Sequence, residues 1–420
     1  MNESSHHNPK RHNGFRMKKL LQINQCLNFS TGKITQQIGE LAIANGWESW
    51  IAYSGRMPEF PSKSKLIRVG NFLISCLHYV EDRLLDNEGL ASRWETRKLI
   101  KKMEEIKPDV VQLHILHDHW LNYSILFPYL AQRNIPVVWT QHDQWAATGH
   151  CFYNPVGCER WKDECHDCPL SKWYCLDRSR RNFRLKKQLM AEIPSLTIVA
   201  VSEWLANMMK QSHLKHRKIE VIHNGVDIQT FSPQPPIADD EKYGIDWNKK
   251  ILLGVASLWD ERKGLNDYIE LSKRLDDRFV IVLVGLTDEQ IKKLPTNIIG
   301  IKRTQNQTEL AQLYSMADIL LSLSYAETFG LTMAEAFACG TPCIVYDNTA
   351  QPEIVSPGTG CIAQTGCIDN LVRLIYEMTG NSYKQHHTAD CRKRAEEHFD
   401  KDKCFEKYIE LYESLIERDE

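Results

Sequence analysis

Between Asp318 and Asp347 the chain reads DILLSLSYAETFGLTMAEAFACGTPCIVYD. Ile319 to Leu323 is a short apolar run of the kind a buried strand makes, and it enters a polar turn from Ser324 to Phe329. Gly330 opens a helical pattern that closes near Gly340, and Thr341-Pro342 breaks it before a second strand, Cys343 to Tyr346. Strand, helix and strand in about thirty residues is the length of a βαβ crossover, which joins parallel strands. Open parallel sheets bind ligands beyond the carboxyl ends of their strands. Glu327 lies in the turn beyond the first strand and Glu335 on the helix, so both carboxylates are expected beside a crevice.

The alternation extends in both directions. From Lys250 the sequence predicts a strand (ILLGVAS), a helix ending at Leu275, strands at 279–285 and 297–301, and a helix at 308–316. Repeated βα units make this a Rossmann-like domain. Arg262-Lys263 precede a helix N-terminus, where two cations suit a diphosphate, although a solvated charge pair fits equally well. Upstream, a strand at 18–23 leads through Ser30-Thr31-Gly32-Lys33 into a helix at 34–44, an arrangement that either holds a phosphate or is only a tight connection. Strands are predicted at 49–53, 110–114, 135–140, 196–201 and 219–222, with helices at 93–106 and 117–133. His114 and His142 fall at carboxyl ends of two of these strands. They either cap strand ends or face the same cleft as the Ser30–Lys33 turn.

At 420 residues the chain is too long for one ordinary core. The expected units are a tail at 1–16, an N-terminal Rossmann-like domain at 17–227, a second at 228–385, and terminal helices at 386–420; residues 367–380 and 385–418 read as helical. Residues 232–248, rich in Pro and acids, read as the linker. A net charge of −2 argues against nucleic acid as a partner. No run of eighteen apolar residues exists, and the first sixteen residues carry no secretory pattern, so a cytoplasmic location is expected. Thirteen cysteines then imply a reducing compartment, with thiols free or bound to metal.

Residues 145–175 interrupt the alternation. Cys151, Cys158, Cys165 and Cys168 are spaced C-x6-C-x6-C-x2-C, and the tight C-x2-C pair is the usual half of a structural zinc site. A metal would order a loop too poor in apolar residues to make a core. Free thiols, disulfides or another metal remain open. The basic segment 178–190 is either a solvated helix or a face for an anionic membrane.

Taken together, Glu327-Thr-Phe-Gly-Leu-Thr-Met-Ala-Glu335, Ala336-x-Ala338-x-Gly340-Thr-Pro342, Arg262-Lys263-Gly264 and Asn224-Gly-Val-Asp227 resemble the retaining glycosyltransferases of family 4 (glycosyl transferase group 1). The insert, with Gln141-His142-Asp143-x-Trp145 and Gly149-His150-Cys151 before it, is similar to a bacterial subgroup of colanic-acid and exopolysaccharide glycosyltransferases. The resemblance implies an α/β GT-B fold, two facing Rossmann-like domains with parallel sheets and an interdomain cleft. It implies a nucleotide-sugar donor, UDP- or GDP-linked, and a glycan or lipid-linked sugar as acceptor, with peripheral membrane contact at the inner face of the membrane. It implies catalytic roles for His142, Glu327, Arg262 and Lys263. Gly32, Phe329, Gly330, Leu331 and Glu335 would complete the donor site, Glu327 at the sugar and Glu335 at the ribose. Arg262 and Lys263 would neutralise the diphosphate, so no catalytic metal is expected. A sugar-nucleotide epimerase or phosphorylase of the same fold, and a non-enzymatic zinc-stabilised binding protein, are the alternatives.

Overall fold

A computed structural model of the protein describes residues 16–154, 157–237, 242–380 and 382–417. The tail expected at 1–16 lies outside them except for Arg16. The N-terminal half contains strands β1 (Lys19–Ile23), β2 (Glu48–Ser54), β3 (Lys65–Val69), β4 (Val110–Leu113), β5 (Val137–Gln141), β6 (Leu196–Ala200) and β7 (Lys218–Val221). Its helices are α1 (Phe29–Ala44), α2 (Phe72–Leu85), α3 (Arg93–Ile106), α4 (Tyr123–Arg133), α5 (Ser179–Ala191) and α6 (Glu203–Gln211). The C-terminal half contains β8 (Lys250–Val255), β9 (Phe279–Val284), β10 (Ile298–Ile301), β11 (Ile319–Ser322), β12 (Cys343–Tyr346) and β13 (Gly360–Ala363). Its helices are α7 (Leu265–Ser272), α8 (Asp288–Ile291), α9 (Gln307–Met316), α10 (Leu331–Ala338), α11 (Gln351–Ile354), α12 (Ile368–Gly380), α13 (Tyr383–His398) and α14 (Lys401–Ile416).

Two separate sheets result, with orders β3-β2-β1-β4-β5-β6-β7 and β10-β9-β8-β11-β12-β13. Every strand pair in both is parallel. The fold is GT-B. Strand β9 shows why its sheet is buried on both faces. Val280, Val282 and Val284 join one apolar cluster, and the alternating Phe279, Ile281 and Leu283 join another.

The order of each sheet reverses beside its first strand. In the second sheet β8 neighbours β9 on one side and β11 on the other, so the connections leaving β8 and β11 run in opposite directions along the sheet, the place where open parallel sheets hold ligands. The βαβ unit read at 318–347 is β11-α10-β12. In the first sheet β1 and β4 occupy the corresponding place.

Three elements differ from the sequence reading. The first helix begins at Phe29 rather than Ile34, so Ser30–Lys33 form its first turn. The helix expected at 117–133 begins at Tyr123, because Asp118 and His119 take positive φ and the Asn122 side chain caps the helix by accepting from Ile125 N. The run at 385–418 is two helices. Asp400 breaks it by capping α14, its carboxylate accepting from Asp402 N.

That break is where the chain crosses between domains. Val226 N donates to Phe399 O at 2.7 Å, Lys401 N donates to Val226 O at 3.0 Å, and Lys401 pairs with Asp227. The Asn224–Asp227 turn thus receives the returning chain. Beyond it, α14 covers one face of the first sheet. Phe405, Tyr408 and Tyr412 pack with Leu20, Ile34, Ile38 and Val110. The Tyr412 hydroxyl donates to Gln112 Oε1 and that of Tyr408 accepts from Thr140 Oγ1.

Among the described residues no helix is long and apolar enough to cross a membrane. The basic helix α5 turns Phe183, Leu189 and Met190 into the core, and with them Lys186, whose ammonium donates to Trp145 O. Its apolar residues are therefore spent on packing. The exposed apolar stripe lies instead on α2, at Leu73, Leu77, Val80 and Leu84.

Candidate functional site

The loop after β8 is a single 3-10 turn, Glu261–Lys263, capped by the Asp260 side chain and ended by Gly264. Gly264 has φ +70°, and a Cβ there would lie 2.1 Å from Leu323 O. Only glycine lets this turn rest on the end of β11. The loop is tied to that strand again by Tyr325 N, which donates to Arg262 O at 2.8 Å. This seating brings Arg262 and Lys263 against the turn that carries Glu327. Arg262 donates to Ala326 O at 3.0 Å, and Lys263 Nζ is ion-paired with the Glu327 carboxylate. Both partners of that pair are largely covered, with side chains 20% and 16% exposed. The backbone at Glu327 is fixed independently, its N–H donating to Thr349 Oγ1 and its carbonyl accepting from Ala350 N. Gly264→Ala should displace this turn and lower Tm by a few degrees, which a melting curve checks.

Beyond Glu327 the chain turns at Gly330, φ +105°, into α10. The first N–H groups of a helix have no intrahelical partner, so this end presents donors to an anion. The Phe329 ring is drawn the other way, between His223 and Phe399. Glu335 follows on α10, half-buried, its Oε2 accepting from the Tyr314 hydroxyl at 2.8 Å. Burial pushes its carboxyl up to about 7; the Tyr314 hydrogen bond and the Lys33 ammonium act in the opposite direction. Lys33 belongs to the first turn of α1, so this helix and Glu335 face one another across the cleft.

On that N-terminal wall, His114 and His142 stack with ring centroids 5.3 Å apart and share a hydrogen bond of 3.0 Å. His114 Nε2 contacts Gln22 Oε1 at 3.3 Å. Burial lowers the pKa of both rings, that of His142 to about 4, so both are neutral at pH 7. His142 is bound to the other domain through its backbone, its carbonyl accepting from Thr328 Oγ1 at 2.7 Å. The two histidines, Glu327 and the Arg262-Lys263 turn are thereby gathered at one cleft. Gly32 is placed differently from its neighbours. Its Cα lies against the loop before α1, where a Cβ would meet Leu27 C at 2.5 Å, so packing by itself requires glycine there.

The insert reaches the same place. Tyr153 lies under the Arg262 guanidinium, 4.4 Å from ring centroid to Cζ, a cation–π contact between the domains. Phe152 packs against His117 with ring centroids 4.2 Å apart, and His117 pairs with Asp143 at 2.8 Å. Nothing in the spacing of the sequence marked Tyr153 as a neighbour of Arg262, Thr328 as a partner of His142 or Tyr314 as a partner of Glu335; each contact joins segments well apart in the chain. The four cysteines read as metal ligands line one small cavity in this insert. The ligand atoms that converge within 4.8 Å, however, are those of His150, Cys151 and Cys168.

Two family models match the chain. "Glycosyl transferases group 1" covers residues 237–398 and "Glycosyltransferase Family 4" covers residues 35–230. The chain is 23% identical over 321 residues to the colanic acid biosynthesis glycosyl transferase WcaC of Escherichia coli (strain K12), spanning 73% of this chain and 77% of that one. It is 25% identical over 234 residues to the N-acetyl-alpha-D-glucosaminyl L-malate synthase of Bacillus anthracis, 53% and 60% of the two chains. Among solved structures it is similar to sucrose-phosphate synthase from Thermosynechococcus elongatus, with a TM-score of 0.75, 18% identity, and 96% and 100% of the two chains covered. It is similar also to HepE of Anabaena in complex with UDP and glucose, with a TM-score of 0.65, 17% identity, and 94% and 100% covered.

Proposed function

This chain belongs to the group 1 glycosyltransferases, and on that premise we propose that it moves a hexosyl unit from a UDP- or GDP-sugar to an acceptor hydroxyl with retention of anomeric configuration. The acceptor is a glycan or lipid-linked sugar, and the pathway is the building of a cell-surface polysaccharide. One observation carries the reading. Two cations and a carboxylate, Arg262, Lys263 and Glu327, meet at the strand ends where the second sheet reverses its order, opposite a wall holding two neutral histidines.

In this reading the diphosphate lies against Arg262, Lys263 and the start of α10 at Phe329-Gly330-Leu331, with Gly32 on the facing wall. The cations take up charge as the anomeric carbon–phosphate bond breaks, the work a divalent ion does elsewhere. The acceptor oxygen bonds to the anomeric carbon from the same face, and its proton passes to the departing phosphate oxygen. Glu327 holds hydroxyls of the sugar, and donor binding breaks its contact with Lys263. His142, neutral, can donate or accept a hydrogen bond at the sugar without adding charge. Catalysis then rests on positioning and charge stabilisation.

Glu335 accepts from the ribose hydroxyls. Protonation removes one of its acceptor sites, and its carboxyl titrates near 7, so donor affinity should rise with pH. Between pH 6 and 8 the donor KM is expected to fall by up to about tenfold. Glu335→Gln should flatten the profile, and a KM–pH series for both proteins checks this. The function itself is tested by release of nucleoside diphosphate from a panel of UDP-, GDP- and ADP-sugars with lipid-linked acceptors. Acceptor-dependent release from one donor is expected. Release from none, with the protein folded, would sink the proposal.

A further inference from the structure

Among its described residues, the long insert between Thr148 and Arg178 has two 3-10 turns, Arg160–Lys162 and Ser171–Trp173, as its only regular pieces. Of its apolar side chains, Trp161 and Cys165 are buried. Such a segment needs another source of order. Cys151, Cys158, Cys165 and Cys168 together line a cavity of about 20 Å³, large enough for one water or ion, and no carboxylate lines it. None of the four is in a disulfide. The Cys151 and Cys168 sulfurs are 3.7 Å apart. That is the edge, about 3.8 Å, of a tetrahedron with metal–sulfur bonds of about 2.3 Å.

Donors approach these sulfurs from outside the cavity. Gly149 N–H donates to Cys165 Sγ at 3.2 Å. His150 Nε2 lies 3.1 Å from Cys168 Sγ, while its Nδ1 contacts both carboxylate oxygens of buried Asp86 at 3.1 Å. A carboxylate-oriented imidazole with its other nitrogen on a sulfur is an arrangement that supports a thiolate bound to metal. Asp86 also accepts from Arg178 N at 2.7 Å, so one buried carboxylate ties the cavity to both the end of α2 and the start of α5.

We propose that this cavity is a closed structural zinc site with four thiolate ligands, Cys151, Cys158, Cys165 and Cys168, and that Asp86-His150 and the Gly149 N–H brace the ligand sulfurs. Four thiolate ligands select zinc and leave no open position for chemistry. The metal fixes the segment that leaves Cys151. Phe152 and Tyr153 follow directly, the first against His117 and the second under Arg262. This last consequence rests on Arg262 serving the donor diphosphate; the metal site itself does not.

The test is a metal count and a cobalt spectrum on the full chain purified under reducing conditions. We expect one zinc per chain and, after cobalt exchange, the charge-transfer intensity of four thiolates. Cys158→Ser and Cys165→Ser should each lower that intensity. His150→Gln should keep the four-thiolate spectrum with metal affinity about 10- to 100-fold weaker. Should a variant fail to fold, chelation and reloading of the unmodified protein give the same answer: a reversible drop in Tm on zinc removal is expected. Absence of metal, iron in place of zinc, or disulfides among these cysteines would overturn the proposal. So would a full thiolate spectrum in Cys158→Ser together with loss of a ligand in His150→Gln, which would place the metal on His150, Cys151 and Cys168. None of these readings requires a donor, so they stand apart from the fate of the proposed function.

Discussion

Glu327→Ala is expected to lower kcat/KM for sugar transfer by about 100-fold or more while the protein stays folded. The expectation of a fold left intact comes from the backbone. Glu327 N–H is held by Thr349 and its carbonyl by Ala350, so the turn keeps its course without the carboxylate. What is lost is the group proposed to orient the sugar, and Lys263 loses its carboxylate partner. A carboxylate that acts on the sugar as it reacts shows its loss in kcat as well as in KM. Steady-state kinetics of nucleoside diphosphate release, with circular dichroism as the control for folding, measure both. Undiminished transfer would remove Glu327 from the site.

Arg262→Ala should have an effect of the same order, about 100-fold in kcat/KM, by a different route. Arg262 is the cation that both domains touch, through Ala326 O on one side and the Tyr153 ring on the other. A planar guanidinium can serve two oxygens of a diphosphate at once, so on the proposed reading Arg262→Lys should restore little. Lys263→Ala should also weaken the donor, but its effect will not add to that of Glu327→Ala, because each residue is the other's partner. Donor titrations of the two single variants and the double variant test that coupling.

The strands that shape the crevice were legible because parallel strands buried on both faces are written as short continuous apolar runs, as in FVIVLV of β9. Glycines marked the turns that need them, as Gly264 and Gly330 do. What could not be read locally was what distant segments decide. The first turn of α1 hid inside a stretch that looked like a loop, since Phe29 opens it at φ +58° and the Asn28 side chain gives no capping bond. The break at Asp400 carries neither Pro nor Gly; it exists because Val226 pairs with the chain there. Asn224-Gly225 was visible as a turn, but its service as the seat of the returning chain was not. Likewise, the cation–π contact of Tyr153 with Arg262 joins an insert of one domain to the first loop of the other, and no spacing announces it. The cysteines were conspicuous in sequence, whereas His150 and Asp86, which brace them, came from the packing of the insert on α2.

The central claim is that Arg262 and its neighbours at the ends of β8 and β11 bind the diphosphate of a nucleotide sugar. Calorimetric titration of UDP and of GDP into the unmodified protein and into Arg262→Ala tests it most directly. The account predicts that one of the two diphosphates binds the unmodified protein and binds the variant at least tenfold more weakly. Equal binding to both proteins, or binding of neither diphosphate to either, would contradict it.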